Sequence, residues 1–257
     1  MIDIHSHILP GVDDGPPSME ESLEMAKAAV ADGIRTIAAT PHHNDGDYVN
    51  EKTAILAAVE QLNAALEDNS IPLTVVPGQE VRHYDYLVED LYDGTKLLTI
   101  NNNSKYLLLE FPSGEVPSNA QETLHELGIL GITPIIAHPE RNRAIAAKPD
   151  LMLELLEAGA LGQVTSQSLV GRFGPKVQKV AEELCRRNLV HLVASDAHNN
   201  TTRPFLMKEA MEWVSRELGE TYRQYYLTNS EHVVFDRPIQ RMEPLKMKKN
   251  PFLFWRK

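Results

Sequence analysis

The 257-residue chain carries a formal net charge of −11 at pH 7, with 42% apolar and 24% charged residues, a composition that suits a soluble globular protein long enough to bury a sizeable core. The acidic balance argues against a general nucleic-acid binder, whose surface is basic, and the single cysteine, Cys185, leaves neither a disulfide framework nor a thiolate metal cluster. No apolar run is long enough for a membrane span and the first residues lack the sections of a secretory leader, so a cytoplasmic location is expected.

In chain order, the first apolar run is Ile2 to His7, and it ends on two histidines. At i and i+2 of a strand, His5 and His7 project from one face, a geometry in which two imidazoles can grip one metal ion. Asp13 and Asp14 follow in the loop "PGVDDG". A helix then starts after Ser18, which forms a capping box with Glu21, and stops at Gly33. A strand over Thr36 to Thr40 leads to "TPHH", with His42 and His43, and a long helix follows from Asn50 to Glu67. The run Leu73 to Glu80 precedes a short helix over Tyr86 to Tyr92. Three further strands, Tyr106 to Phe111, Thr133 to His138 and Leu161 to Thr165, alternate with helices over Asn119 to Leu127, Leu151 to Glu157 and Lys176 to Arg187. A seventh strand, His191 to Asp196, leads to helices over Pro204 to Leu218 and Tyr222 to Val234.

Seven such βα units without a Pro/Gly/Ser-rich linker predict one α/β domain, either a closed barrel or an open doubly wound sheet. The polar residues favour closure. His5, His7, His42, Glu80, Glu110, His138, Asp196 and His198 all lie at or just beyond strand carboxyl ends. In a barrel these ends share one rim, whereas in an open sheet the same residues would string out at about 4.8 Å per strand. Imidazoles and carboxylates without sulfur suit manganese, iron, zinc or cobalt.

The phrases "DIHSHILPGVDDGP", "TPHH", "AHPER" and "SDAH", in that order, resemble the polymerase and histidinol phosphatase (PHP) superfamily. More narrowly they resemble its Gram-positive protein-tyrosine phosphatases, which are encoded with capsule or exopolysaccharide machinery and oppose a bacterial tyrosine kinase. The resemblance covers residues 1–240 and implies a distorted (β/α)7 barrel, similar to a TIM barrel, with three divalent ions, manganese foremost. It leaves residues 241–257 as a basic, aromatic tail. Carried over by position, His5, His7, Glu80 and Asp196 would hold the first ion. Glu80 would bridge to a second held by Glu110 and His138, and Asp14, His42 and His198 would hold the third. The resemblance, not the spacing, selects Asp14 over Asp13 and His42 over His43. It also matches Arg141 and Arg203 to arginines that hold a phosphoryl group, whose oxygens a guanidinium fork fits bidentately. His83, His125, His191 and His232 are unmatched and are expected to be structural or on the surface.

Four carboxylates offset four of the six charges of three divalent ions, so the site stays cationic and favours both a phosphate dianion and hydroxide. The expected reaction is attack of that hydroxide on the phosphorus of a phosphotyrosine in a protein. Cys185 is followed by "RRNLVH" and lacks the C-x5-R loop of thiol tyrosine phosphatases. Rival readings are a histidinol-phosphate or other small phosphomonoester phosphatase, a PHP nuclease, and a metal-stabilised scaffold that docks a kinase without turnover. From Arg237 to Lys257 there are seven Lys or Arg and one Glu, with "FLFW" near the end. This is expected to be a solvated tail, with contact to an anionic membrane surface as the sharper alternative.

Overall fold

A computed structural model describes residues 1–246; the "FLFW" segment lies outside them. The described chain forms β1 (Ile2–Ser6), α1 (Met19–Ala31), β2 (Thr36–Ala39), β3 (His42–His43), α2 (Lys52–Asp68), β4 (Thr74–Pro77), β5 (Glu80–Arg82), α3 (Leu87–Asp93), β6 (Tyr106–Glu110), α4 (Ala120–Ile129), β7 (Thr133–Ala137), α5 (Arg143–Ala147), α6 (Asp150–Glu157), β8 (Leu161–Thr165), α7 (Ser166–Leu169), α8 (Pro175–Arg186), β9 (Leu192–Ala194), α9 (Met207–Glu217) and α10 (Glu220–Val234). Nine strands stand where seven runs were read, because two runs are interrupted. Pro41 separates β2 from β3, having no N–H for a ladder. Between β4 and β5 the chain bends at Gly78, where a Cβ would stand 3.0 Å from the Thr40 side chain. The sequence pattern also passed over α5 and α7, which are too short to show a helical period.

All ladders are parallel. One sheet runs β1-β2-β4 and the other β3-β5-β6-β7-β8-β9. Because β2 continues into β3 and β4 into β5, the two sheets share their second and third staves. The seam between the last stave and the first is narrow. Ser6 bridges Ala197, and Asp196 N donates to His5 O and His7 N to Ala197 O, each at 2.8 Å. Asp3 reinforces it, accepting from Ser195 N at 2.9 Å and from Ser195 Oγ at 2.5 Å. The result is a (β/α)7 barrel, distorted where two staves are interrupted and where the seam is one bridge wide.

Ser18 caps α1 by accepting from Glu21 N at 3.3 Å, and Gly33, at φ 92°, ends it. The helices pack on the strands through a continuous apolar core that includes Met25, Ile37, Leu62, Leu107, Leu124, Ile136, Val164, Leu184 and Val193. A second cluster joins Leu108, Ile135, Leu161, Leu192 and Ala194 to Val233 and Val234 of α10. Leu108 and Glu110 share a strand face, as successive even positions must. This apolar layer therefore stands on the same face as the first polar side chains of the rim. Past α10 the chain returns along the barrel, where Leu245 N donates to Arg187 O at 2.8 Å and Asn188 Nδ2 to Glu243 O at 2.8 Å. No helix among the described residues is long and apolar enough to cross a membrane.

Candidate metal centre

The nine His, Asp and Glu positions picked out in the sequence meet at the carboxyl ends of the strands. Ligand atoms of eight of them fall into three groups: His5, His7, Glu80 and Asp196; His7, Asp14, His42 and His198; and His42, Glu80 and Glu110, the last with His42 where His138 was expected. His5 Nε2 and His7 Nε2 face each other at 3.4 Å. Both lie within 3.4 Å of Glu80 Oε2 and of Asp196 Oδ1. Asp14 Oδ1 stands 3.1 Å from His198 Nε2 and 3.5 Å from His42 Nε2. The other nitrogen of His42 is 3.0 Å from Glu80 Oε2, so this ring joins two of the groups. His138 Nε2 lies 2.7 Å from Glu80 Oε1 and 3.9 Å from Glu110 Oε1.

Neighbouring groups hold these rings in place. His5 Nδ1 bonds Gln163 Oε1 at 2.9 Å, His7 Nδ1 bonds Asp13 Oδ2 at 2.6 Å, and His198 Nδ1 bonds the carbonyl of Asp196 at 3.0 Å. A proton on each Nδ1 leaves each Nε2 lone pair directed into the cluster, the arrangement that orients histidine ligands in metal sites. Asp13 also accepts from His42 N at 3.2 Å and from Gly15 N at 3.0 Å. The two aspartates are thus divided, Asp13 behind the rings and Asp14 among them. His43 turns away from the cluster, its Nδ1 2.8 Å from Asn50 O.

Two of the nine positions adopt a left-handed backbone, His138 at φ 32° and Asp196 at φ 54°. Such residues need surroundings that hold them there. For Asp196 these include Gln167, whose Nε2 donates to Ser195 O at 3.2 Å and to Pro204 O at 2.9 Å. The turn sends the two Asp196 oxygens in different directions. Oδ1 faces the histidines, while Oδ2 accepts from Arg141 Nη1 and, at 2.7 Å, from Arg203 Nη2. Arg203 Nη1 is also 3.7 Å from Asp14 Oδ2.

The electrostatics suit a cation-binding pocket. Burial disfavours the Glu80 charge, but His5, His42 and His138 outweigh it and hold this carboxyl well below its usual range. Burial likewise opposes charge on Asp196, and Arg141 and His5 more than compensate. Glu110, buried beside Glu80, is pushed up to about 7. His7 is buried yet raised well above an ordinary histidine by Asp13, Asp196 and Glu80. Protons here stand in for cations. The fit to divalent ions rests on both donor type and geometry. Glu80 Oε2, Asp196 Oδ1 and His198 Nε2 are buried with no aligned hydrogen bond, although basic or acidic atoms stand 3.0 to 3.3 Å away. Close but misaligned nitrogen and oxygen lone pairs, with no sulfur, form a ligand set for metal ions.

The family model for capsular polysaccharide synthesis, CpsB/CapC, matches residues 1–235. The chain belongs to the CpsB/CapC family. Tyrosine-protein phosphatase YwqE of Bacillus subtilis (strain 168) is 46% identical over 249 residues, covering 97% of both chains. The putative tyrosine-protein phosphatase CapC of Staphylococcus aureus is 39% identical over 246 residues, covering 95% of both. Among solved structures, a chain from the crystal structures of YwqE from Bacillus subtilis and CpsB from Streptococcus pneumoniae, described as unique metal-dependent tyrosine phosphatases, superposes with a TM-score of 0.93 at 45% identity, over 97% of this chain and 100% of that one.

Beyond the expected positions, the site of this CpsB/CapC chain contains Asp13, the neighbour passed over in favour of Asp14, and residues that sequence reading did not single out. Gln163 and Asp13 hold the histidine rings, Arg82 Nε stands 3.0 Å from Glu110 Oε2, and Asp45 Oδ2 lies 4.0 Å from His42 Nδ1. Arg82 pairs with Glu110 across the β5–β6 ladder, a contact that register alone would predict once the strands are ordered. No local signal marks Gln163, because its partner is 158 residues away.

Proposed function

We propose that this protein is a metal-dependent protein-tyrosine phosphatase that hydrolyses phosphotyrosine on proteins, with a bacterial tyrosine kinase of extracellular polysaccharide synthesis as its partner in the cytoplasm. The observation that carries the reading is the shared carboxylate Asp196, whose Oδ1 faces the His5, His7 and Glu80 group of potential metal ligands while its Oδ2 accepts from two arginines. His5, His7, Asp14, His42, Glu80, Glu110, His138, Asp196 and His198 would hold three divalent ions; the nitrogen and oxygen donor set suits manganese, iron, zinc or cobalt, and the family resemblance puts manganese first. Such ions, when bound, lower the pKa of water and neutralise phosphoryl oxygens. Arg141 and Arg203, already paired to Asp196 Oδ2, present guanidinium N–H groups where phosphoryl oxygens would sit. Those charges are fixed before substrate arrives, so little reorganisation is needed as charge develops in the transition state. The departing phenol has a pKa of about 10, and its departure asks little of a general acid. A thiol route has no support in the geometry, since Cys185 is fully buried in α8 and burial pushes it up to about 12.

The test is direct assay of the purified protein on a tyrosine-phosphorylated peptide and on histidinol phosphate. Chelation should abolish turnover, manganese should restore it, and the peptide should be preferred. Preference for histidinol phosphate, or activity that survives chelation, would overturn the proposal.

A further inference from the structure

We infer that Tyr48 is a specificity-determining residue that forms an aromatic wall for the ring of the substrate ester, so that the site selects aryl over alkyl phosphates. This rests on the phosphatase reading above and adds the group that reads the alcohol half of the ester.

The floor of the site is closed, for the side chains of His5, His7 and Glu80 have no exposed surface. Access is confined to the rim formed by Asp14, His42, Arg141 and Arg203, which are partly exposed. A phosphoryl group bound by the arginines and the cations must therefore direct its ester oxygen, and the group attached to it, outward past this rim. The ring of Tyr48 lies there. It stacks on His42, with centroids 6.3 Å apart and planes inclined by 13°, and His42, like His7, belongs to two ligand groups.

The loop that carries Tyr48 is held from several sides. Tyr48 N donates to Asp45 Oδ1 at 2.8 Å, and Asn44 N donates to Tyr48 O at 2.8 Å across a turn in which Gly46 adopts φ 109°. Asn50 Nδ2 donates to Val12 O at 3.0 Å and to His42 O at 2.9 Å, fixing the loop to both segments that supply Asp14 and His42. An aromatic ring placed at the exit of a phosphate site, with its own hydroxyl outside the catalytic network, supplies area and stacking to a substrate ring but nothing to a small aliphatic alcohol. A tyrosine ester gains that contact; a serine or aliphatic ester does not.

Phenylphosphonate and methylphosphonate differ by the ring alone and cannot be hydrolysed, so direct calorimetric titration of the manganese-loaded protein with each isolates the contact. Tyr48→Ala should weaken phenylphosphonate about fivefold to tenfold, the size of one aromatic pair, and leave methylphosphonate unchanged. Tyr48→Phe should bind both like the parent protein. On substrates, the loss should fall on KM for a phosphotyrosine peptide, with kcat nearly constant. Equal weakening of both phosphonates would show that Tyr48 acts only through His42, and no weakening of either would remove it from the site; each overturns the inference. Failure of the parent protein to hydrolyse phosphotyrosine would instead refute the phosphatase reading, while the phosphonate titrations still judge Tyr48.

Discussion

Asp13 and Asp14 are adjacent in sequence and have different partners. Asp13 Oδ2 holds His7 Nδ1 at 2.6 Å, whereas Asp14 Oδ1 points between His42 and His198. Their substitution should separate affinity from stoichiometry. If Asp14 is a ligand as proposed, Asp14→Ala should cost the protein one ion even at saturating manganese. Asp13→Ala should keep full stoichiometry at saturation but bind about 10- to 100-fold more weakly, as expected when the partner of a ligand histidine is lost. Metal analysis during titration distinguishes them, and the reverse pattern would mean that the roles are exchanged. The arginines form the second residue-scale test. Arg141→Ala and Arg203→Ala should each lower kcat by about 10²-fold with bound metal unchanged, comparable to losing one preorganised donor. The double variant should fall short of the product of the two, because both guanidinium groups share one Asp196 oxygen. Kinetics at parental rates in either single variant would return that arginine to the solvated surface.

At the scale of elements, the loop between β1 and α1 shows how the fold brings a carboxylate into the candidate site from beyond a strand end. A Cβ on Gly15 would stand 2.2 Å from His7 O, so the loop can fold back over the strand only with glycine there. That close return is what brings Asp13 and Asp14 onto His7. Gly15→Ala should displace the loop, reduce stability by about 1–3 kcal/mol as overpacking does, and weaken metal binding at the group shared by Asp14, His42 and His198. Urea unfolding and metal titration would check both effects; an unchanged metal affinity would show that the loop tolerates the shift.

For the whole molecule, acid sensitivity has a source outside the candidate metal ligands. His191 precedes β9 and is buried, accepting from Gly162 N at 3.3 Å through Nδ1. Burial, then the charge of Arg241, pushes it down to about 3. An unfolded histidine titrates near 6.5, so between these values the unfolded chain binds more protons than the folded one. Stability on this account is complete above about pH 6.5 and declines as the pH falls toward 3, by at most about 1.4 kcal/mol per unit. Urea midpoints of the parent protein and His191→Gln, compared from pH 7 to pH 5, should converge as the pH falls. Parallel pH dependences would exclude His191 as a source of the loss. The same residue illustrates a limit of local pattern: it was expected to be structural or on the surface, and only the packing around β9 decides that it is buried.

What the sequence determined by itself is what short range dictates: the alternation of βα units, the capped first helix, and the chemistry of "DIHSH", "TPHH", "AHPER" and "SDAH" at strand ends. Parallel strands in one ring share a rim, so residues scattered from His5 to His198 were legible as one site before any contact was known. The tertiary structure alone decided which atoms meet. Pro41 and Gly78 interrupt two staves, the left-handed backbone of His138 and Asp196 re-aims their side chains, and Gln163 reaches His5 across 158 residues of chain. These outcomes depend on contacts between segments distant in sequence, whose energies no local propensity contains. For that reason the division of Asp13 from Asp14, the turning of His43 toward Asn50, and the joining of both arginines to one oxygen of Asp196 appear only in the folded chain.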